Sequence, residues 1–209
     1  MSILKHLIPR EEQRSSKISF DVGPAPAAHA PSVKSVGVTG QLTGSRADII
    51  VADDVESANN SMTQLMRDRL SETVKEFEAI LKPNGRILFL GTPQSEETLY
   101  NSLLERGYET RIWPARYPSK AKTIYGDRLG NIITTALEEN PEEVEGQPVD
   151  PDRFNEFDLQ EREASYGKAG FALQFMLDSR LSDLERYPLK LSDFIIHPLD
   201  REFASPKLV

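Results

Sequence analysis

The residues in this chain best suited to chemistry are three carboxylates in one short stretch, Asp53, Asp54 and Glu56, in the run RADIIVADDVE from Arg46 to Glu56. Four small or β-branched apolar residues, Ile49 to Ala52, lead straight into them. An uninterrupted apolar run of this kind predicts a strand buried on both faces, as in a parallel sheet. Acids at the C-terminal edge of such a strand stand where open α/β sheets bind ligands. In nucleotide hydrolases the arrangement is a Walker B strand, whose first acid holds Mg²⁺ or its water while the next positions the attacking water. On this reading Asp53 is the metal ligand and cofactor contact. The general base is Asp54, adjacent to the ligand, with Glu56 as the alternative because of its longer reach. Taken alone, the same pattern also describes strand-end acids that cap an ordinary turn.

The elements that must position these acids follow in order. A helical pattern runs from Met62 to Leu81, with Met62, Leu65, Met66, Leu70, Val74, Phe77 and Ile80 at three- and four-residue steps, until Lys82-Pro83-Asn84-Gly85 stops it. RILFLGTP, from Arg86 to Pro93, then reads as a second apolar strand closed by Gly91, Thr92 and Pro93. Strand, helix, strand at this spacing is a βαβ unit, which brings Asp53-Asp54 and Gly91-Thr92 to one sheet edge. The predicted fold class is α/β with a parallel sheet. Thr92 is a candidate γ-phosphate sensor and Gly91 a cofactor-approach position; for Thr92 a simple turn role is the competing reading. Arg46, just before the acidic strand, is a candidate arginine finger toward a neighbouring subunit, with a surface ion pair as its alternative.

Four stretches, GQLTGSRADIIVADDVE, LFLGTPQ, WPARYP and YGKAGFALQFMLD, together resemble the large terminase subunit of short-tailed, autographivirus-type bacteriophages, in that family's order from Ile18 to Leu191. The resemblance implies a P-loop (ASCE-type) ATPase sheet and an ATP- and Mg²⁺-dependent motor that packages double-stranded DNA into procapsids. It also implies work in the host cytoplasm, docked on the portal protein, with a small terminase subunit and a homo-oligomeric ring as partners and no membrane. Two departures qualify this. A phosphate-cradling loop needs Gly, four residues and Gly-Lys-Ser/Thr, whereas Gly44 is followed by Ser45-Arg46, and the chain's Gly-Lys pair, Gly167-Lys168, precedes Ala169. The sheet is therefore expected to be incomplete on its N-terminal side, with the phosphate loop upstream of Met1 in the family and the carboxylate-rich nuclease domain after Val209. Residues 1–170 are expected to be the later part of the ATPase domain, and 171–209 a linker toward the nuclease. The chain alone is expected to be catalytically silent. The rival reading is a non-enzymatic interaction module.

Bulk properties set wider bounds. With 209 residues and 38% hydrophobic content, the chain can bury a core but not a large one. It has no cysteine, which excludes disulfides and thiolate metal sites. The net charge is −8, yet Glu138–Glu163 alone carries 11 acids and 2 bases. One acidic excursion thus causes the imbalance, and it reads as a solvated surface. His6, His29 and His197 show no metal-ligand spacing. Lys17–Val22 and Ser32–Thr39 read as two strands joined by a proline-rich connection. Further helices are expected over Gln94–Arg106, Arg128–Leu137 and Asn155–Tyr166, a strand over Tyr108–Pro114, and short strands at Tyr187–Leu191 and Phe194–Ile196.

Overall fold

The computed structural model describes residues 4–40, 42, 44–95 and 97–180. The chain divides into two compact units, Met1–Glu109 and Thr110–Val209.

In the first unit, β1 (Ser19–Phe20) and β2 (Val33–Lys34) form a small antiparallel pair, with Ser19 opposite Lys34. This is the hairpin expected from the two alternating stretches, though far shorter. The organising element is the parallel pair of β3 (Ala47–Asp53) and β4 (Leu81–Leu90). Ile50 lies opposite Ile87 and Asp53 opposite Leu90, so both strands end at one edge. Two helices connect them, α1 (Ala58–Ser61) and α2 (Gln64–Ile80). The expected βαβ unit is therefore present in a mixed α/β architecture.

The helix forms where its apolar stripe and its cap agree. Thr63 caps α2 by accepting the Met66 N–H at 3.3 Å. Leu70, Val74, Phe77 and Ile80 are buried, and Leu70, Val74 and Phe77 cluster with Ala52 and Val55. Met62 and Leu65, which share the predicted periodicity, are exposed, because Met62 precedes the helix and Leu65 sits in its first turn. Phe77 stacks on Phe89 with ring centroids 6.0 Å apart, which fixes helix against sheet.

One expectation needs correcting. The run Ile49–Ala52 predicts a strand buried on both faces, but only one face of the β3–β4 pair is covered. Ile50, Ala52, Ile87 and Phe89 point toward α2, whereas Ile49 and Val51 remain 63% and 58% exposed, with Leu88 and Leu90 at 45% and 49%. The reason is strand geometry: successive side chains alternate between faces, and the packed helices of this unit lie on one of them.

After β4, the predicted helix over Gln94–Arg106 is shorter. It runs as α3 (Leu99–Glu105), with Leu99 and Leu103 buried and Leu104 exposed.

The second unit contains α4 (Ala121–Tyr125), α5 (Asn131–Glu139), α6 (Pro141–Val144) and α7 (Glu156–Gln174). Residues 115–127 contain α4. Residues 108–114, read as a strand, supply a single bridge, Ile112 to Leu129. Tyr125, Ile133 and Leu159 are almost fully buried. Asn155 caps α7 through the Asp158 N–H at 3.0 Å, and Asp158 returns a bond to the Asn155 N–H at 3.1 Å. The helix is kinked at Gly167, whose φ of 69° no L side chain adopts readily; the predicted break after Tyr166 is this kink. The sequence-read division at 170/171 falls within α7, while the compact units divide between Glu109 and Thr110. Backbone ties such as the Ala115 N–H to the Phe175 carbonyl, 2.7 Å, hold the end of α7 to the start of the second unit. The strands expected at Tyr187–Leu191 and Phe194–Ile196 lie outside the described residues.

Candidate functional site

The sheet edge gathers most of the predicted residues. Asp53 is the last residue of β3, and Asp54 follows with a φ of 46°, an uncommon backbone conformation for a residue other than glycine. A hydrogen bond holds that turn: the Asp54 N–H donates to the Leu90 carbonyl at 2.9 Å. The side chains of Asp53 and Asp54 are exposed, and among the described residues neither carboxylate takes a hydrogen bond or ion pair. Two hard oxygen-donor groups left open at a strand end suit Mg²⁺, which keeps several waters and takes one or two carboxylates alongside phosphate oxygens. Among the described residues no group of three or more potential ligands could hold a metal by itself.

Glu56 is different. It is 3% exposed, and both oxygens are engaged. Its Oε1 accepts from the Gln94 N–H at 3.0 Å and the Thr98 hydroxyl at 2.8 Å, and its Oε2 accepts from the Leu99 N–H at 2.5 Å. Asn60 braces the same loop, accepting the Ser57 N–H at 2.8 Å and donating to the Val55 carbonyl at 2.8 Å.

Gly91 and Thr92 leave β4 beside the acids. A β-carbon on Gly91 would overlap the Tyr100 ring and hydroxyl, so glycine is required here by close approach. The Tyr100 hydroxyl donates to the Leu90 carbonyl at 3.3 Å, the same oxygen that receives Asp54. Burial pushes the Tyr100 phenol up to about 12, and the negative charges of Glu56, Asp54 and Asp53 add to it. Thr92 is half-buried, and its carbonyl accepts from the Gln94 side chain at 3.2 Å.

Arg46 is not part of this gathering. It is exposed, bonds the adjacent Ser45 carbonyl at 2.8 Å, and precedes β3, at the opposite end of the strand from Asp53. Seven residues of strand separate the two ends, on the order of 20 Å at about 3.3 Å per residue.

Sequence reading missed Gln94, Thr98 and Tyr100. Thr98 carried a usable signal, a hydroxyl residue directly before an apolar helical run; Tyr100 and the Gln94 N–H carried none.

Among the described residues no helix is long and apolar enough to cross a membrane. No protein-family model matches the chain. A curated relative does: the large subunit of the terminase of Enterobacteria phage T3 is 55% identical over 209 residues, covering 98% of this chain. The chain spans 36% of that relative's length. The resemblance read from the four sequence stretches is thereby borne out, and the chain is a homologue of a segment of a phage terminase large subunit.

Proposed function

We propose that this chain forms part of an ATP-driven motor that packages double-stranded viral DNA into procapsids. The observation that carries the reading is 55% identity to a terminase large subunit along nearly the whole chain. The geometry supports it: an acidic strand end and a Gly-Thr-Pro strand end share one edge of a parallel pair. In this reading the β3–β4 pair belongs to a P-loop ATPase sheet that is completed by a phosphate-cradling segment, which residues 1–209 do not contain. Residues 1–170 are then ATPase domain and 171–209 lead toward a nuclease domain.

The roles follow from chemistry. ATP with Mg²⁺ is the substrate complex, and Asp53 is the residue that would hold the metal, which supplies charge neutralisation at the phosphates. Asp54 is the better base, because its carboxylate is open to water whereas that of Glu56 is enclosed by three donors. Thr92 faces the same edge as the sensor of the γ-phosphate, and Gly91 lets the loop approach it. Arg46, remote from its own chain's acids, acts on a neighbouring subunit in a homo-oligomeric ring. The partners are double-stranded DNA, the portal protein of the procapsid and a small terminase subunit, and the setting is the host cytoplasm.

The test is DNA-dependent ATP hydrolysis and DNA packaging by a complete large subunit carrying this segment. Asp53→Ala should abolish both. Normal packaging by Asp53→Ala would overturn the reading. The rival reading is a non-catalytic interaction module that keeps the fold without binding ATP. That rival predicts full DNA packaging by the partner proteins whichever of Asp53 or Asp54 is replaced.

A further inference from the structure

We propose that Glu56 is a positioning residue, a carboxylate latch that fixes the loop bearing Thr92 against the strand end bearing Asp53 and Asp54. The proposal rests on the functional reading above for its catalytic consequence, but its geometry stands without it.

A buried carboxylate is costly unless its oxygens are satisfied. Glu56 meets that condition with neutral donors, since among the described residues it has no ion pair. The three donors come from one short segment some forty residues along the chain from Glu56: the Gln94 N–H just past the Thr92 turn, and the Thr98 hydroxyl and Leu99 N–H at the start of α3. Hydrogen bonds to an ionised acceptor are roughly twice as strong as neutral ones. Glu56 itself is two residues from Asp54, and Gln94 is two residues from Thr92. One side chain therefore spans the gap between the two strand-end loops. Tyr100 closes the same gap one layer away, since its hydroxyl and the Asp54 N–H share the Leu90 carbonyl. Asn60 holds the other side of the Glu56 loop. With both strand ends tied to the first turn of α3, any shift of the Thr92 loop would carry α3 and the Asp54 turn with it.

A general base and a latch differ in what else matters. A base needs its own carboxylate and is indifferent to Thr98; a latch needs Thr98 as well. The first measurement is site-resolved amide hydrogen exchange on the 209-residue chain. Glu56→Gln replaces one acceptor oxygen by an amide that faces N–H donors. Exchange at Gln94 and Leu99 should accelerate about tenfold or more while Ile50 and Leu88 in the strand pair are unchanged; unchanged protection at Gln94 and Leu99 overturns the latch. The second is steady-state ATP hydrolysis by the complete large subunit. Glu56→Gln and Thr98→Val should each lower kcat about tenfold with KM for ATP within twofold, and the double variant should be no worse than Glu56→Gln. Loss of turnover in Glu56→Gln with wild-type kcat in Thr98→Val identifies a base and overturns the latch, as does a change confined to KM. If the unmodified subunit hydrolyses no ATP, the motor reading fails and the exchange measurement decides the latch.

Discussion

Tyr100 occupies the space beside Gly91 that any larger residue would need, and the two together set the end of β4. The phenol lies across the glycine and donates to the Leu90 carbonyl at 3.3 Å. Gly91→Ala must displace the ring, break that bond and disturb the oxygen that also holds Asp54. Overpacking of this kind costs about 1–3 kcal/mol. Chemical denaturation should show that loss for Gly91→Ala and a much smaller one when Tyr100→Ala is already present. Additive effects of the two substitutions would mean that the contact is not what requires glycine.

The uncovered face of the parallel pair predicts surface behaviour. Ile49, Val51, Leu88 and Leu90 form a contiguous apolar patch on two strands with free outer edges among the described residues. Exposed hydrophobic strands invite association. The 209-residue chain should bind a hydrophobic dye and self-associate on size exclusion, and Val51→Thr with Leu88→Thr should reduce both. A monodisperse monomer with no dye binding would show that this face is covered.

In the second unit, Tyr125 is 1% exposed and its hydroxyl donates to the Met176 carbonyl at 2.5 Å. Burial pushes its phenol well above the usual tyrosine range, and the Asp178 carboxylate adds to this while Arg180 opposes it. The folded-state value is raised, so the stabilisation is complete below the unfolded value of about 10 and is lost as pH rises through the folded one. Alkaline titration should therefore unfold this unit above about pH 10. Tyr125→Phe should flatten that dependence and, by leaving the Met176 carbonyl unpaired, cost about 1–3 kcal/mol at neutral pH. An unchanged alkaline transition in Tyr125→Phe would place its origin elsewhere.

The two open acids should fail in different ways. In a complete large subunit, Asp53→Asn should weaken Mg²⁺-nucleotide binding, whereas Asp54→Asn should spare binding and stop turnover. The 209-residue chain alone should hydrolyse no ATP, because no residue in it can replace the phosphate-cradling loop and its lysine. Titration of nucleotide binding alongside single-turnover hydrolysis separates these outcomes. Normal turnover in Asp54→Asn, or a robust Asp53-dependent turnover by the chain alone, would refute the assignment.

Local regularities made much of the first unit legible in the sequence. The uninterrupted apolar runs 49–52 and 87–90, with the stripe Leu70-Val74-Phe77-Ile80 at a period near 3.6 between them, suffice for a strand, a helix and a strand. Their spacing also carried the parallel pairing that brings Asp53 opposite Leu90. The hairpin β1–β2 and the helix beginning at Asn155 and interrupted after Tyr166 were readable for the same reason, since each depends on neighbours in the chain.

Tertiary structure alone decided the rest. An apolar run does not state how many of its faces are covered, so the exposure of Ile49 and Val51 follows from which side α2 packs. The character of Glu56 depends on donors at Gln94, Thr98 and Leu99, some forty residues away, and no local pattern encodes such a meeting. Gly91 reads in the sequence as a turn or an approach to phosphate, yet its immediate neighbour is the Tyr100 ring. What the sequence by itself determined was the set of chemically able residues and the elements that carry them. Which carboxylates stay open to solvent and which one is enclosed was decided only when distant segments packed together, because burial and hydrogen-bond partners are properties of the folded chain.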